Sequence, residues 1–443
     1  MHHVIIGNGV AGMEAAILLR KRDPDATITL VSAEHDHFYA RTALMYILCG
    51  QLSVRDTEPY DRGLYERMRF RRVSKRVVRI APDEHLLVFE DHGTLAYDRL
   101  LIAVGSRARP APWPGVEGGQ GIHTFVTLPD LAGLDAAAHP GDDVVVVGGG
   151  LIGVEVAEVL HLRGLKVHFL IREPWYFPVA LDRNESEVVA AHIRGHGVDV
   201  RTQADVSMVV RDRSGQLRGV RVGEKEIPCK LLVCAIGVVP NTEFLRGGPL
   251  PLAEGGAIET GDDLRVRGHA DVWAAGDCAN VTWFDGSRRP EQLWYTARDQ
   301  GRAAAASMLG DPVQYRRGTW YNSAKFFDVE YTTAGYVPPP GGAVDPDRYR
   351  TWYQQVPGQA VSQRIVTRRD GATQRDGAVA GAGERVVGFN CLGSRWNHEV
   401  FLRWIQERWT LDRVLRHMNE ARFDEEFTPG FRVLPTASLA EGV

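Results

Sequence analysis

Val4–Glu14 reads V-I-I-G-N-G-V-A-G-M-E, and the fold follows from it. Val4–Ile6 is a short apolar run, glycines stand at 7, 9 and 12, and Met13–Arg20 has the character of a helix. Gly7 allows a tight turn, and Gly9 lets the backbone approach a pyrophosphate. Gly12 lets the helix pack close to the strand, so that its N-terminus, with Val10 and Ala11, faces the phosphates. A second strand, Thr27–Ser32, leads to Glu34, 22 residues past Gly12. A carboxylate there can accept both hydrogen bonds from an adenosine ribose. For this stretch by itself, a βαβ turn holding no ligand is the plain alternative.

The stretch recurs. Val144–Glu155 reads V-V-V-V-G-G-G-L-I-G-V-E, with Gly148, Gly150 and Gly153 in the same register. Leu151 and Ile152 stand where Val10 and Ala11 stand, and Glu155 takes the place of Glu14. Two dinucleotide folds in one chain mean two nucleotides. The expected class is α/β: two Rossmann-like dinucleotide-binding domains, with an α+β module after them.

The 443 residues suffice for two or three domains. Lys and Arg number 52 against 56 Asp and Glu, a net charge of −4 that gives no basic face for nucleic acid. No apolar run approaches the ~20 residues of a membrane span, and Met1–Gly7 has no signal-peptide pattern. A cytoplasmic setting is expected. Cysteines 49, 229, 234, 278 and 391 are scattered without a C-x-x-C, so neither a disulfide scaffold nor a zinc site is indicated, and no metal is expected.

Further along, His37–Gly50 includes a helix from about Thr42 to Leu48. Strand-like runs follow at Val73–Ile80, Leu86–Glu90 and Leu100–Arg107, the last reading L-L-I-A-V-G-S-R. Pro110–Gly121 and Arg246–Gly256 read as linkers. Helix Asp130–His139 precedes the second fold, and strand Leu231–Asn241 closes it. Val272–Asp277, V-W-A-A-G-D, is a strand with an acid at its carboxyl end, before helix Glu291–Leu309.

Taken together these pieces resemble the FAD-dependent pyridine nucleotide–disulfide oxidoreductase superfamily. Four motifs carry the match in the family's order over about residues 1–310: the first G-x-G-x-x-G, A-V-G-S-R-A-R-P from Ala103, the second G-x-G-x-x-G-x-E, and A-A-G-D at 274–277. A-I-G-V-V-P-N at 235–241 supports them. The resemblance implies a split FAD domain at 1–112 and 250–312, an inserted NAD(P) domain at 113–249, and a C-terminal α+β domain at 313–443. It places FAD on Gly7, Gly9, Val10, Ala11, Gly12, Glu34, Arg41, Ala103, Gly105, Gly276, Asp277 and Gln300. It places NAD(P)H on Gly148, Gly150, Leu151, Ile152, Gly153, Glu155, Arg172 and Gly237. Asp277 can bond a ribityl hydroxyl, and Gly276 gives room for that approach. Trp294 either lies near the flavin or packs as core.

The disulfide reductases of the superfamily carry redox cysteines on the helix after the first βαβ unit. Here that helix begins Arg41-Thr42-Ala43, and Thr42 stands where single-cysteine members have theirs. Y-A-R-T-A-L-M-Y-I-L-C-G instead resembles ferredoxin and rubredoxin reductases and the NADH domain of nitrite reductase. Those reductases often carry a Lys near the flavin, and that place holds Tyr46. No catalytic residue is identified; Arg41, Thr42, Tyr46 and Trp294 are the flavin-proximal candidates.

Strand Lys166–Ile171 should end at the residue that reads the second nucleotide's ribose. Ile171 occupies that place, with Arg172 next to it, 17 residues past Glu155. This is the spacing of the phosphate-binding Arg in NADPH-using members, and a guanidinium can grip a 2′-phosphate bidentately. Glu173 would repel a phosphate or bond a ribose itself. NAD(P)H is therefore expected, with NADPH favoured over NADH.

Residues 311–443 read as a separate module. A β-meander opens at Trp320–Tyr336, and strands are expected at Arg348–Gln354, Ser362–Thr367 and Arg385–Asn390, with a Gly/Ala-rich loop at Gly371–Gly383. Val400, Phe401, Trp404, Ile405 and Trp409 then fall at helical spacing, before a second helix at Leu411–His417. In the superfamily this module often forms a homodimer interface. Cys391 and His398 are seven residues apart, a separation at which contact is not implied. Lys325 either lines the flavin pocket or is solvated.

The leading reading is an FAD-dependent NAD(P)H oxidoreductase (an EC 1-class enzyme) that passes electrons to a protein redox carrier such as a rubredoxin, a ferredoxin or an iron–sulfur partner. An NAD(P)H oxidase, a quinone reductase or a disulfide reductase is the alternative in the same class. A flavin-binding regulatory subunit is the alternative from another.

Overall fold

The computed structural model describes residues 1–117, 119–283, 286–338, 345, 348–369, 384–424 and 440–441. The chain forms two compact units. The first comprises Met1–Ala111, Thr124–Ala137 and Gly237–Gly318; the second comprises Pro112–His123, Ala138–Ile236 and Thr319–Val443. Segments 124–137 and 237–249 thus pack in the first unit, and the C-terminal module packs with the second nucleotide fold. The loop expected at Gly371–Gly383 lies outside the described residues.

The first unit is built on a five-stranded parallel sheet in the order Val272–Ala274, Arg99–Ile102, His2–Ile6, Thr27–Ser32, Phe70–Ser74. Val4, Ile5, Leu100, Leu101 and Ile102 are fully buried, as the near-continuous apolar runs of an inner parallel strand require. Helix Val10–Arg22 lies against helix Trp294–Met308. A Cβ at Gly301 would overlap the Ala11 backbone carbonyl, so this crossing admits only glycine without movement. The second helix begins three residues later than expected. Glu291 is instead held in a buried ion pair with Arg317, at 2.6 Å.

Two other expectations are corrected. Val73–Ile80 is not one strand: Phe70–Ser74 closes the parallel sheet, and Val77–Ala81 opens an antiparallel meander with Leu86–Phe89 and Thr94–Ala96. Lys75 and Arg76, both exposed, mark the change of partner, which an alternating pattern does not record. Leu100–Arg107 is likewise interrupted: after Ile102 the chain turns at Gly105, φ +67°, and Ser106–Ala108 pairs with Val238–Pro240.

The second unit repeats the parallel sheet in the order Asp199–Arg201, Lys166–Leu170, Asp143–Val147, Leu231–Cys234, Ile122–His123. Its C-terminal part is an antiparallel sheet in which Tyr321–Phe326, Val329–Gly335, Glu384–Leu392, Ser362–Arg369 and Tyr349–Gln355 are neighbours in that order. Helix His398–Gln406 starts where the Asn397 side chain accepts a hydrogen bond from the Glu399 N–H, at 3.0 Å. Its aromatic stripe is core: Phe401 stacks on Phe389 at 4.1 Å, and Trp404 on Trp409 at 5.3 Å.

A buried polar cluster ties this sheet to the nucleotide fold. Arg364 meets Glu185 at 2.8 Å and donates to the Ala180 carbonyl at 2.9 Å, and Asn390 donates to Glu185 at 2.9 Å. The Arg364 side chain is 3% exposed and that of Glu185 is 0% exposed. Burial pushes the Glu185 carboxyl up, against the pull of Arg364. Removing one partner of such a pair strands the other charge. Arg364→Ala should therefore destabilise the second unit by about 3 kcal/mol or more, while Arg364→Met with Glu185→Gln should cost less. Urea denaturation followed by tryptophan fluorescence would measure both.

Candidate functional site: two dinucleotide cradles

The two glycine motifs fold into the same local structure, one in each unit. Gly7 has φ +107°, and a Cβ there would overlap the Ala103 carbonyl. Gly148 has φ +121°, and its Cβ would overlap the Ala235 carbonyl. A Cβ at Gly12 would strike the Gly7 carbonyl, and one at Gly153 the Gly148 carbonyl. Ala103 and Ala235 directly follow the neighbouring strands Arg99–Ile102 and Leu231–Cys234, so each turn is clamped against the backbone that leaves the adjacent strand. Gly9 and Gly150 differ: nothing lies within 4 Å of a Cβ at either. Each is the N-cap of its helix, and neither makes a side-chain cap bond. The first-turn N–H groups, including those of Val10 and Ala11 or Leu151 and Ile152, are left for a ligand's phosphates.

In the first unit the expected acids and Arg41 form one electrostatic group. Glu34 accepts from Arg41 at 2.6 Å, from the Leu128 N–H at 3.0 Å, and from the Tyr39 hydroxyl. Burial acts to raise its carboxyl, but the Arg41 bonds and charge outweigh this and hold it below its ordinary value. A carboxylate offers about four acceptor directions, so a ribose here meets a partly occupied group. Asp277 follows strand Val272–Ala274, and Ser106 donates to it at 2.7 Å. Burial raises its carboxyl against that bond and the Arg41 charge. Gln300 is fully buried and accepts from the Gly276 N–H at 2.8 Å, fixing the turn (φ +80°) that presents Asp277.

The remaining flavin-side candidates divide. Arg41 and Thr42 lie on the short turn Arg41–Ala43, and Thr42 and Tyr46 are exposed. Trp294 packs against Phe38 at 5.5 Å, as a partly buried edge of the core. No atom lies within 4 Å of a Cβ at Gly105, and its carbonyl accepts from the Asn241 N–H at 3.0 Å. Gly237, assigned from sequence to the second nucleotide, packs in the first unit, where its carbonyl accepts from the Arg109 N–H at 3.0 Å. Motif reading missed Asn8, Tyr39, Ser106 and Leu128. Asn8 and Ser106 lie within quoted motifs and carried no signal of their own; Asn8 donates to the His35 carbonyl at 2.7 Å.

In the second unit Ile171 is fully buried, and Gly149 leaves space for its side chain. The first polar side chain after that strand is Arg172, 72% exposed and paired with Glu173 at 3.0 Å. Glu155 is pushed up to about 7 by burial and by the charge of Glu158. Lys325 faces Glu158 at 3.9 Å, within the second unit.

Four of the five thiols are buried and held protonated. Cys229, Cys234 and Cys278 are buried and pushed up to about 12 by desolvation, and Cys391, fully buried, is also raised. Cys49 lies near the Tyr46 carbonyl, at 3.4 Å. His398 bonds the Asn322 carbonyl at 2.8 Å.

Comparison with known proteins agrees with this geometry. Residues 1–301 match the family model described as pyridine nucleotide-disulphide oxidoreductase. The 5,5'-dehydrodivanillate O-demethylase ferredoxin reductase subunit of Sphingobium sp. is 31% identical over 75% of this chain and 81% of its own length. The biphenyl dioxygenase system ferredoxin–NAD(+) reductase component of Paraburkholderia xenovorans is 32% identical over 70% of this chain and 75% of its own. Among solved structures, the covalent putidaredoxin reductase–putidaredoxin complex has a chain that superposes with a TM-score of 0.76 at 21% identity, covering 92% of this chain and 93% of that one. That likeness is one of fold.

The raised Glu155 carboxyl has a stability consequence of defined sign. Below its unfolded value of 4.5 the group is neutral in both states and costs nothing. Between 4.5 and about 7 the unfolded chain ionises while the folded carboxyl stays neutral, so the fold loses stability across that window and the loss is complete above it. Glu155→Gln should therefore gain on the unaltered protein between roughly pH 5 and pH 8, with no difference near pH 4. Thermal midpoints across that range are the check.

Proposed function

The chain belongs to the pyridine nucleotide-disulphide oxidoreductase family, FAD-dependent oxidoreductases that use a pyridine nucleotide, and from that premise we propose that it is the reductase of a small one-electron carrier of the ferredoxin or rubredoxin kind. What carries this reading is the pair of matching cradles without a reactive thiol near either. Two open, uncapped helix N-termini accommodate two dinucleotides. The exposed Thr42, standing where related enzymes place a cysteine, leaves the disulfide-reducing branch without its nucleophile. Relatives named as ferredoxin reductases support the same acceptor class.

In this reading residues 1–112 and 250–312 hold FAD, 113–249 hold the nicotinamide nucleotide, and 313–443 serve as a dimerisation or partner module in a cytoplasmic enzyme. Bound FAD supplies the change from two-electron hydride acceptance to single-electron release. The chain's own residues bind and orient. Gly9 and the first helical turn take the pyrophosphate, Asp277 takes a ribityl hydroxyl, and Arg41 holds Glu34 ionised beside the site. Gly148, Gly150 and Gly153 set the second helix toward the nicotinamide nucleotide. Among the described residues no helix is long and apolar enough to cross a membrane.

For the nucleotide we propose NADPH over NADH, on the exposed Arg172 with its single carboxylate partner. That guanidinium is free to turn from Glu173 to a 2′-phosphate, which offers two acceptors and more charge. The curated relative from Paraburkholderia is named for NAD(+), so the reading assigns this chain its own preference.

An anaerobic titration with NADPH and NADH in separate cuvettes tests both statements. NADPH should bleach the flavin absorbance faster, with no thiolate-to-flavin charge-transfer band, and Arg172→Ala should lose that preference while keeping reduction by NADH. Flavin that neither nucleotide reduces would end the enzyme reading. Asp277→Ala should be isolated flavin-poor, and a full flavin complement in that variant would remove Asp277 from the site.

A further inference from the structure

Three side chains of the second unit converge on one point away from the nucleotide cradle. His192 and His196 lie one turn apart at the C-terminal end of helix Arg183–Gly195, where His196 is the C-cap. Asp328 sits in the two-residue turn between strands Tyr321–Phe326 and Val329–Gly335. The Nε2 atoms of the two histidines are 3.2 Å apart, and that of His196 is 3.1 Å from Asp328 Oδ1. His192 Nε2 bonds the same oxygen.

The contact between the two imidazoles is the unsatisfied part of this arrangement. Asp328 Oδ1 can accept from both imidazoles, but the two Nε2 atoms then face each other at 3.2 Å with both N–H groups already directed at the oxygen. A metal ion resolves the conflict by accepting all three lone pairs. With metal–nitrogen bonds of about 2.0–2.1 Å, the edge of a tetrahedral site is about 3.3 Å, close to the His192–His196 and His196–Asp328 separations, whereas His192 and Asp328 would have to part slightly. The rings are already oriented: His196 stacks on Phe327 at 5.1 Å, and the two imidazoles meet edge to face at 4.9 Å.

The surroundings favour a cation. The ligands lie at a helix C-terminus, whose free carbonyls carry partial negative charge. The Glu158 carboxylate is within electrostatic reach of both His196 and Asp328, with Lys325 opposing it. Side-chain exposures of 26%, 39% and 66% for His192, His196 and Asp328 leave a path for the ion. The other histidine cluster, His35, His37 and Glu58, is already committed to cations, since Arg72 lies 2.8 Å from His37 Nε2 and Arg62 pairs with Glu58.

We propose that His192, His196 and Asp328 bind one divalent transition-metal ion of the zinc class. Water completes the coordination, and the ion ties the hairpin at Asp328 to the helix at His192. Imidazole and carboxylate ligands in this number suit Zn2+, with Co2+ as a spectroscopic substitute.

The test uses the full-length protein with its flavin, freed of metal by chelator and dialysis. Calorimetric titration with Zn2+ should show one ion bound, and Co2+ should give visible ligand-field bands. Zn2+ should also raise the thermal midpoint. His196→Gln and Asp328→Asn should each weaken binding by about tenfold or more and abolish the thermal rise, while His35→Gln with His37→Gln should leave both unchanged. Asp328→Asn, on an exposed turn, carries the test if His196→Gln does not fold. Absence of Zn2+ binding, or binding in Asp328→Asn equal to that of the unaltered protein, would overturn the proposal.

Discussion

Each half of this molecule depends on a glycine pressed against a neighbouring strand's backbone. At Gly7 against Ala103, and at Gly148 against Ala235, the chain leaves its strand in a conformation and at a distance that exclude any Cβ. That constraint brings the next helix down onto the sheet, where Gly12 and Gly153 meet the carbonyls of the turning residues. Only with the helix so placed do its first N–H groups point into open space, uncapped, at the carboxyl edge of a parallel sheet. The cradle is thus a by-product of close packing. Its anion-binding character comes from backbone groups that the fold leaves unsatisfied.

Around the first cradle, charged residues are set by contacts between distant segments. Arg41 reaches Glu34 and influences Asp277, while Leu128, 94 residues from Glu34, supplies a backbone donor. The result is a carboxylate kept ionised in a partly buried place and a second carboxylate pushed the other way. The second cradle has the opposite character. Burial and the charge of Glu158 raise the cost of ionising Glu155, and an exposed Arg–Glu pair follows the strand Lys166–Leu170. One local backbone motif therefore serves two electrostatic environments. The difference lies in side chains outside the glycine pattern.

The C-terminal module shows a similar division between local and distant causes. Its helix at His398–Gln406 was legible because Phe401, Trp404 and Ile405 repeat at helical spacing, and Asn397 supplies the cap. Nothing local announced that Arg364 would be buried against Glu185, 179 residues earlier, or that this pair would join the module to the nucleotide fold. The spacing of His192 and His196 could be read as one helical face, but a third ligand 132 residues beyond His196 could not.

The sequence by itself determined the class of fold and the two cradles, because those rest on short-range physics. Glycine at fixed offsets, apolar runs before them and helical spacing after them leave few other conformations. It also indicated the Ser106–Asp277 region through motifs, although not the bond between the two. Tertiary structure alone decided where the run at 73–80 divides between two sheets, that Gly237 packs in the first unit, and that Glu34 is already engaged by Tyr39, Arg41 and Leu128. The reason is the same each time. A backbone turn is set by its own residues, whereas a carboxylate's partners, a strand's neighbours and a cluster's third ligand depend on which remote segments the folded chain brings together.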